Sequence, residues 1–265
     1  MNNRIIYSDL KRSALNSLRG HWGLSIVVFL IGAIISNVFN GFEEITSKFL
    51  IHSNNEVFKI IILVIIFGII SSFIETIVNY GLSTFSLNLI SNQTEANIED
   101  IFKGIFSISR IIPIWIIKGI CIGSLLLPFS ISDALNKDYY GSSINLGFIG
   151  YSYNFSSEGI LLAIGIITGI IHLILSAYIS QAYYICIEST SKPPIECIKE
   201  SFRMMKGYVL DYILLNLSFI GWAILSIFTC GIGLLWLIPY INITLAEFHE
   251  KIQGIFYGNT TDSIY

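Results

Sequence analysis

The residues that could do chemistry in this chain are the few ionisable ones that interrupt long uncharged stretches. Glu75, Lys118 and Asp211 stand inside or at the edge of apolar runs, and His172 sits near the middle of the run 159–187, which has no Asp, Glu, Lys or Arg before its end. A charge at the centre of a membrane span costs about 2.5 to 3.5 kcal/mol on insertion scales, so such groups turn toward a bundle interior or a wet cavity and find partners there. Counted from the ends of their runs at about 1.5 Å per residue, Glu75, Lys118 and Asp211 all fall roughly 6 to 11 Å from the same boundary. That shared layer predicts Lys118 paired with Glu75 or Asp211 at the base of a cytoplasm-facing cavity, with His172 available for proton transfer. The plainer readings are snorkelling to water, a purely structural ion pair and a hydrogen-bonded packing histidine.

A second set is basic. Lys199, Arg203 and Lys206 recur at four- and three-residue steps, while Ile198, Phe202 and Met205 repeat with the same spacing. One helix over Glu196 to Lys206 therefore has an apolar face and a basic one, suited to an anionic lipid or a membrane-protein partner. Ordinary interfacial docking would explain the same pattern. No H-E-x-x-H, G-x-S-x-G or G-x-x-x-x-G-K-[ST] signature occurs, and the four histidines lie on separate segments. The four cysteines lack ligand spacing and read as packing residues. The expectation is a non-enzymatic protein without metal or cofactor, and a net charge of −3 gives no reason to expect nucleic acid as a partner.

These groups need elements to hold them, and composition says what kind. A chain that is 54% hydrophobic and 12% charged requires lipid as solvent. Residues 212–246 contain no Asp, Glu, Lys or Arg. As a single helix that run would measure roughly 52 Å against a hydrocarbon core of about 30 Å. It predicts two spans joined by a tight reversal at Thr229-Cys230-Gly231-Ile232-Gly233, and Pro239 is expected to kink the second. Further spans are predicted from Trp22 to Phe39, Val57 to Tyr80, Ile111 to Phe129 and Gly159 to Ile187. The tail Gly81 to Ser91 should bend or project into the cytoplasm, and 132–158 should form an outer loop whose Tyr139, Tyr140, Tyr151 and Tyr153 fit an aromatic belt or a binding surface.

Short amphipathic helices are expected before three of the spans. One begins with Ser8-Asp9 as cap, buries Leu10, Ala14, Leu15 and Leu18, and ends at Gly20; a second covers Ile98, Ile101, Ile105 and Ile108; the third is Glu196 to Lys206, closed by Gly207. The fold class expected is all-α: a polytopic membrane bundle of about six transmembrane helices plus three short cytoplasmic helices. The whole chain, 1–265, forms one integral membrane domain with possible hairpin units at 8–91, 97–187 and 196–250. Eleven Lys and Arg fall on the inner side of that layout and three, Lys48, Lys59 and Lys137, on the outer, which places both termini in the cytoplasm.

The segment Glu196-Cys197-Ile198-Lys199-Glu200-Ser201-Phe202-Arg203-Met204-Met205-Lys206-Gly207, with Leu217-Ser218-Phe219-Ile220-Gly221-Trp222 and Thr229 through Tyr240 after it, resembles the DUF975 family of bacterial integral membrane proteins. Leu10-Lys11 through Gly20-His21-Trp22-Gly23 is similar to the opening helix and first span of that family. The resemblance implies a multi-pass protein of a bacterial plasma membrane and brings no activity, cofactor or site residue. The function expected is a module that binds a lipid, peptide or protein partner. A small transporter or channel-like protein, linked to export or self-protection, is the alternative.

Overall fold

The computed structural model describes residues 5–50, 57–91, 96–120 and 157–262. All regular elements among them are helical. In chain order they are α1 (Tyr7–Leu18), α2 (Trp22–Leu50), α3 (Val57–Ser91), a 3-10 turn (Ile98–Phe102), α4 (Lys103–Phe106), α5 (residues 108–120), α6 (Ser157–Ser180), α7 (Ala182–Glu188), α8 (Pro194–Met205), α9 (Val209–Leu217), α10 (Ile220–Phe228) and α11 (Leu234–Asp262). The four outer-loop tyrosines and Cys121 lie outside the described residues.

Three stretches are long and apolar enough to cross a membrane: Ile65–Ser91, Gly165–Glu188 and Val209–Phe228. Helix α1 joined to Trp22–Val38 would make a fourth, but the two meet at 99°. Gly20 supplies the bend at φ 81°. The span Val209–Phe228 is two helices, broken at Ser218 and Phe219.

Buried side chains gather at one end of the bundle. Leu10, Tyr80, Ile111, Ala182, Cys186, Cys197, Met204, Met205, Leu215, Phe248 and Ile252 form one cluster, and Ala14, Leu18, Val28, Phe29, Phe85, Leu89 and Ile243 a second. Toward their other ends the helices leave large apolar residues uncovered, including Ile34, Ile65, Ile69, Ile120, Ile166, Ile170, Trp222, Ile227 and Phe228. Such a surface costs free energy in water and none in hydrocarbon, so the apolar end is compatible with a lipid surround.

Several expectations need correction. Helix α1 starts at Tyr7 with Ile6 as N-cap residue and no side-chain cap, so Ser8 lies inside the helix; Leu15 is exposed while Leu10, Ala14 and Leu18 are buried. Of the two alternatives for the tail Gly81 to Ser91 the bend is absent: α3 continues to Ser91, where α1, α2 and α11 cover Thr84, Phe85, Ser86 and Leu89. The second amphipathic helix is not one helix but a 3-10 turn, the short α4 and a break at Ser107. Pro113 falls in the second turn of α5. Cys186 and Cys197 are buried, but Cys230 is exposed in the turn after α10, so the packing reading fails there.

The predicted reversal at Thr229–Gly233 is present. Cys230 and Gly231 both have positive φ, 52° and 85°. The Thr229 hydroxyl accepts the Gly233 amide at 3.0 Å. A Cβ at Gly233 would lie 2.6 Å from Ser226 Oγ, so the side chain of residue 233 is excluded by proximity. Helix α11 runs through Pro239 as a single element.

The tightest contact lies elsewhere. Segment 98–106 crosses α3 almost backbone to backbone: a Cβ on Gly81 would sit 2.1 Å from the Ile101 carbonyl oxygen, and one on Gly104 would sit 2.2 Å from the Ile77 carbonyl oxygen. Small residues at such a crossing are the usual device for close helix packing in lipid. Gly81→Ala is expected to destabilise the protein by about 3 kcal/mol, since neither carbonyl can move without breaking its helix. Gly254→Ala, which meets nothing within 4 Å, should change stability by less than about 1 kcal/mol and serves as the control. Thermal unfolding in detergent compares the two.

Candidate functional site

Six helices line a partly open cavity of about 420 Å³. Helix α3 presents Glu75, Asn79 and Ser83 at four-residue steps, hence on one face. Lys118 enters from α5, His172 and Ser176 from α6, Tyr183 and Tyr184 from α7, Tyr212 from α9 and Asn242 from α11. The volume falls within the range of small-molecule sites.

Lys118 reaches the site because α5 is tied down on both sides. Trp115 donates from its indole to Ser72 Oγ at 2.9 Å and stacks edge-on against Phe73. Arg110, at the start of α5, donates to the carbonyls of Cys186 and Ser189 and fixes α5 against α7. The Lys118 ammonium then lies 5.6 Å from the centre of the Tyr183 ring, within cation–π range. Glu75 accepts one hydrogen bond from Asn79 at 3.3 Å. Among the described residues no ion pair joins Glu75 to Lys118.

Asp211 is not in this cavity. It accepts the Tyr7 hydroxyl at 2.7 Å and so ties α1 to α9. The predicted layer therefore divides: Glu75, Lys118 and His172 share one site, while Asp211 serves an interhelical bond. Two groups lining the cavity lack partners, the buried Tyr183 hydroxyl and His172 Nδ1. A buried polar atom left without a partner costs about 1 to 3 kcal/mol, a cost that a water or a bound polar group would remove at either position.

Beside the cavity runs a network for which the sequence gives little signal. Ser180 donates to the Ala177 carbonyl at 2.7 Å and accepts from Gln181 Nε2 at 2.9 Å. That leaves Gln181 Oε1 facing His249 Nδ1 at 2.9 Å, so Nδ1 carries the hydrogen. His249 Nε2 in turn faces Glu188 Oε2 at 3.3 Å, and Gln253 also donates to that carboxylate. The fully buried ring stacks on Tyr184.

The basic face of α8 has the predicted form. Ile198 and Met205 are buried and Phe202 stacks on Tyr178 at 5.0 Å, whereas Lys199, Arg203 and Lys206 are exposed. A shallow groove lies along Glu196, Ile198, Lys199, Phe202 and Arg203. Gly207, at φ 96°, closes the helix. Among the described residues no cluster of His, Cys, Asp and Glu could hold a metal ion.

Glu200 lies on the opposite side of α8, buried, and accepts from Lys192 at 2.6 Å and from the Tyr257 hydroxyl. Burial pushes its carboxyl upward, but the Lys192 and Tyr257 hydrogen bonds outweigh that and hold it below the ordinary value of 4.5. The same bond to Glu200 raises Lys192 above 10.5. The carboxylate contribution is therefore present above pH 4.5 and is lost as pH falls through the lowered folded value; the ammonium contribution is present below 10.5 and is lost as pH rises through the raised one. Lys192 is one-third exposed, so Glu200→Gln should cost about 1 kcal/mol at neutral pH. The difference from the parent should shrink in acid, as thermal unfolding between pH 3 and 8 would show.

Comparison with known proteins adds one result. None of the curated proteins and none of the solved structures matches this chain. A family model described as a protein of unknown function covers residues 1–255 of the 265. The chain belongs to the DUF975 family.

Proposed function

We propose that this protein is a non-enzymatic binding module of the bacterial plasma membrane, and that the cavity between Glu75, Lys118 and His172 is where it binds. In this reading the chain has six spans: α2, α3, the one that includes α5, α6 with α7, α9 with α10, and α11. The packed end faces the cytoplasm with both termini, as the eleven-to-three division of Lys and Arg favours. The amphipathic α1 and α8 lie at that surface, and the Lys199, Arg203 and Lys206 face rests on anionic headgroups.

The observation that carries the proposal is the cavity lining. Two opposite charges without each other as partners, the Tyr183 hydroxyl and His172 Nδ1 are all left open in a space of ligand size between membrane helices. A merely structural ion pair would have closed. Transport is the less supported reading, because the polar route it calls for included Asp211, and Asp211 is engaged by Tyr7 outside the cavity.

Native mass spectrometry of the full chain, extracted gently from its host membrane, tests the proposal. The expected result is a reproducible adduct of one molecule per chain that survives neutralisation of Lys199, Arg203 and Lys206 and is lost in Lys118→Met and Tyr183→Phe. A bare chain, or an adduct that depends only on the three basic residues, would contradict it.

A further inference from the structure

The cavity does more than admit a polar ligand; its charges are sorted. Glu75 lies on α3 and Lys118 on α5, facing one space without an ion pair. Opposite charges that line one space attract, yet among the described residues these two make no ion pair, and Glu75 is exposed where it accepts from Asn79. Both helices are held rigidly near the site: Trp115 is bonded to Ser72, and the Gly81 and Gly104 crossing clamps the chain between them.

Each charge has neighbours that suit a ligand group of the opposite sign. At the cationic side, Lys118 lies over Tyr183, whose buried hydroxyl has no partner and can donate alongside the ammonium. Two such donors fit an anionic oxygen, a phosphate or carboxylate. At the anionic side, Glu75 has spent one hydrogen bond on Asn79 and keeps its other acceptor positions. It fits an ammonium, and the tyrosines around the site offer ring faces that cations favour.

Resting on the binding reading above, we infer that the ligand is a zwitterion: an ammonium and an anionic group joined by a short linker, with the ammonium at Glu75 and the anion at Lys118 and Tyr183. A purely anionic ligand would leave Glu75 uncompensated and repelled. A purely cationic one would do the same to Lys118. The chemistry is shared by an amine-bearing phospholipid headgroup and by a free small zwitterion, and the experiment separates them.

Purified full-length protein in detergent is titrated with three probes, read by native mass spectrometry and by thermal shift. Dioleoylphosphatidylethanolamine and free glycerophosphoethanolamine carry both charges; dioleoylphosphatidylglycerol carries only the anion. The lipid with both charges, or its free headgroup, should bind at least about tenfold more tightly than phosphatidylglycerol, the value of one charge-assisted hydrogen bond. Binding by the lipid alone assigns a headgroup site, and equal binding by the free compound assigns a soluble ligand. Glu75→Gln should abolish the preference and leave phosphatidylglycerol binding unchanged or tighter, whereas Tyr183→Phe should weaken both lipids together. Should Glu75→Gln fail to fold, Glu75→Asp, which draws the carboxylate back by one methylene, should reduce the preference, and an unchanged preference would overturn the zwitterion.

Phosphatidylglycerol binding as tightly as the zwitterions, with a dependence on Lys118 alone, would overturn the zwitterion and leave the binding module standing. No binding of any probe, together with a bare chain from the host membrane, would overturn both.

Discussion

The contact on which the described structure most depends is the crossing of α3 by the segment 98–106. Ile101 and Ile77 each set a carbonyl oxygen where residues 81 and 104 would carry a Cβ, and only glycine leaves room. This fixes where the chain leaves the packed end and therefore where α5 begins. From Gly104, one break at Ser107 and about three turns of helix lead to Lys118. The same α3 carries Glu75 and Asn79 less than two turns before Gly81. The two charges of the cavity are thus referenced to a single point of contact, and their separation is a property of rigid elements rather than of side-chain choice.

The separation matters because opposite charges that line one space attract each other. A carboxylate and an ammonium free to move would collapse on each other, and the cavity would be a structural ion pair. Held open, they impose a cost that the fold alone does not repay, to which the unpartnered Tyr183 hydroxyl and His172 Nδ1 add. Groups with unmet hydrogen-bonding capacity on helices apolar enough to span a membrane are the reason for proposing a binding site there. The packed end has the opposite character. Lys192, Glu200 and Tyr257 satisfy one another, Asp211 is met by Tyr7, and His249 is bonded through both ring nitrogens. The molecule spends its polar pairing on holding that end together and leaves it unspent in the cavity.

Much of this could be read from the chain. The 35 uncharged residues 212–246 demanded a reversal, and Gly231 and Gly233 marked its place. The alternation of Ile198 and Met205 with Lys199 and Arg203 gave α8 its two faces, and counting residues from the run ends brought Glu75 and Lys118 to one depth. Depth along a helix is legible in this way because rise per residue is constant. Direction around the bundle is not, since it depends on how helices rotate and cross, and so Asp211 was assigned to a cavity that it does not face. Ile98, Ile101, Ile105 and Ile108 have helical spacing, yet the close approach at Gly104 outweighs that pattern and breaks the segment. Nor could spacing reveal the Gln181, Glu188 and His249 network, whose members are more than sixty residues apart across the α7–α11 contact.

The central claim is that Glu75 and Lys118 are held apart around a bound molecule, and a map of the protein in lipid nanodiscs tests it most directly. At a resolution that shows side chains, continuous non-protein density should bridge the Glu75 carboxylate and the Lys118 ammonium, with its strongest feature beside Lys118 and the Tyr183 hydroxyl. A map in which Lys118 and Glu75 close into a direct ion pair, with Tyr183 bonded to protein and no density between the helices, would contradict the account.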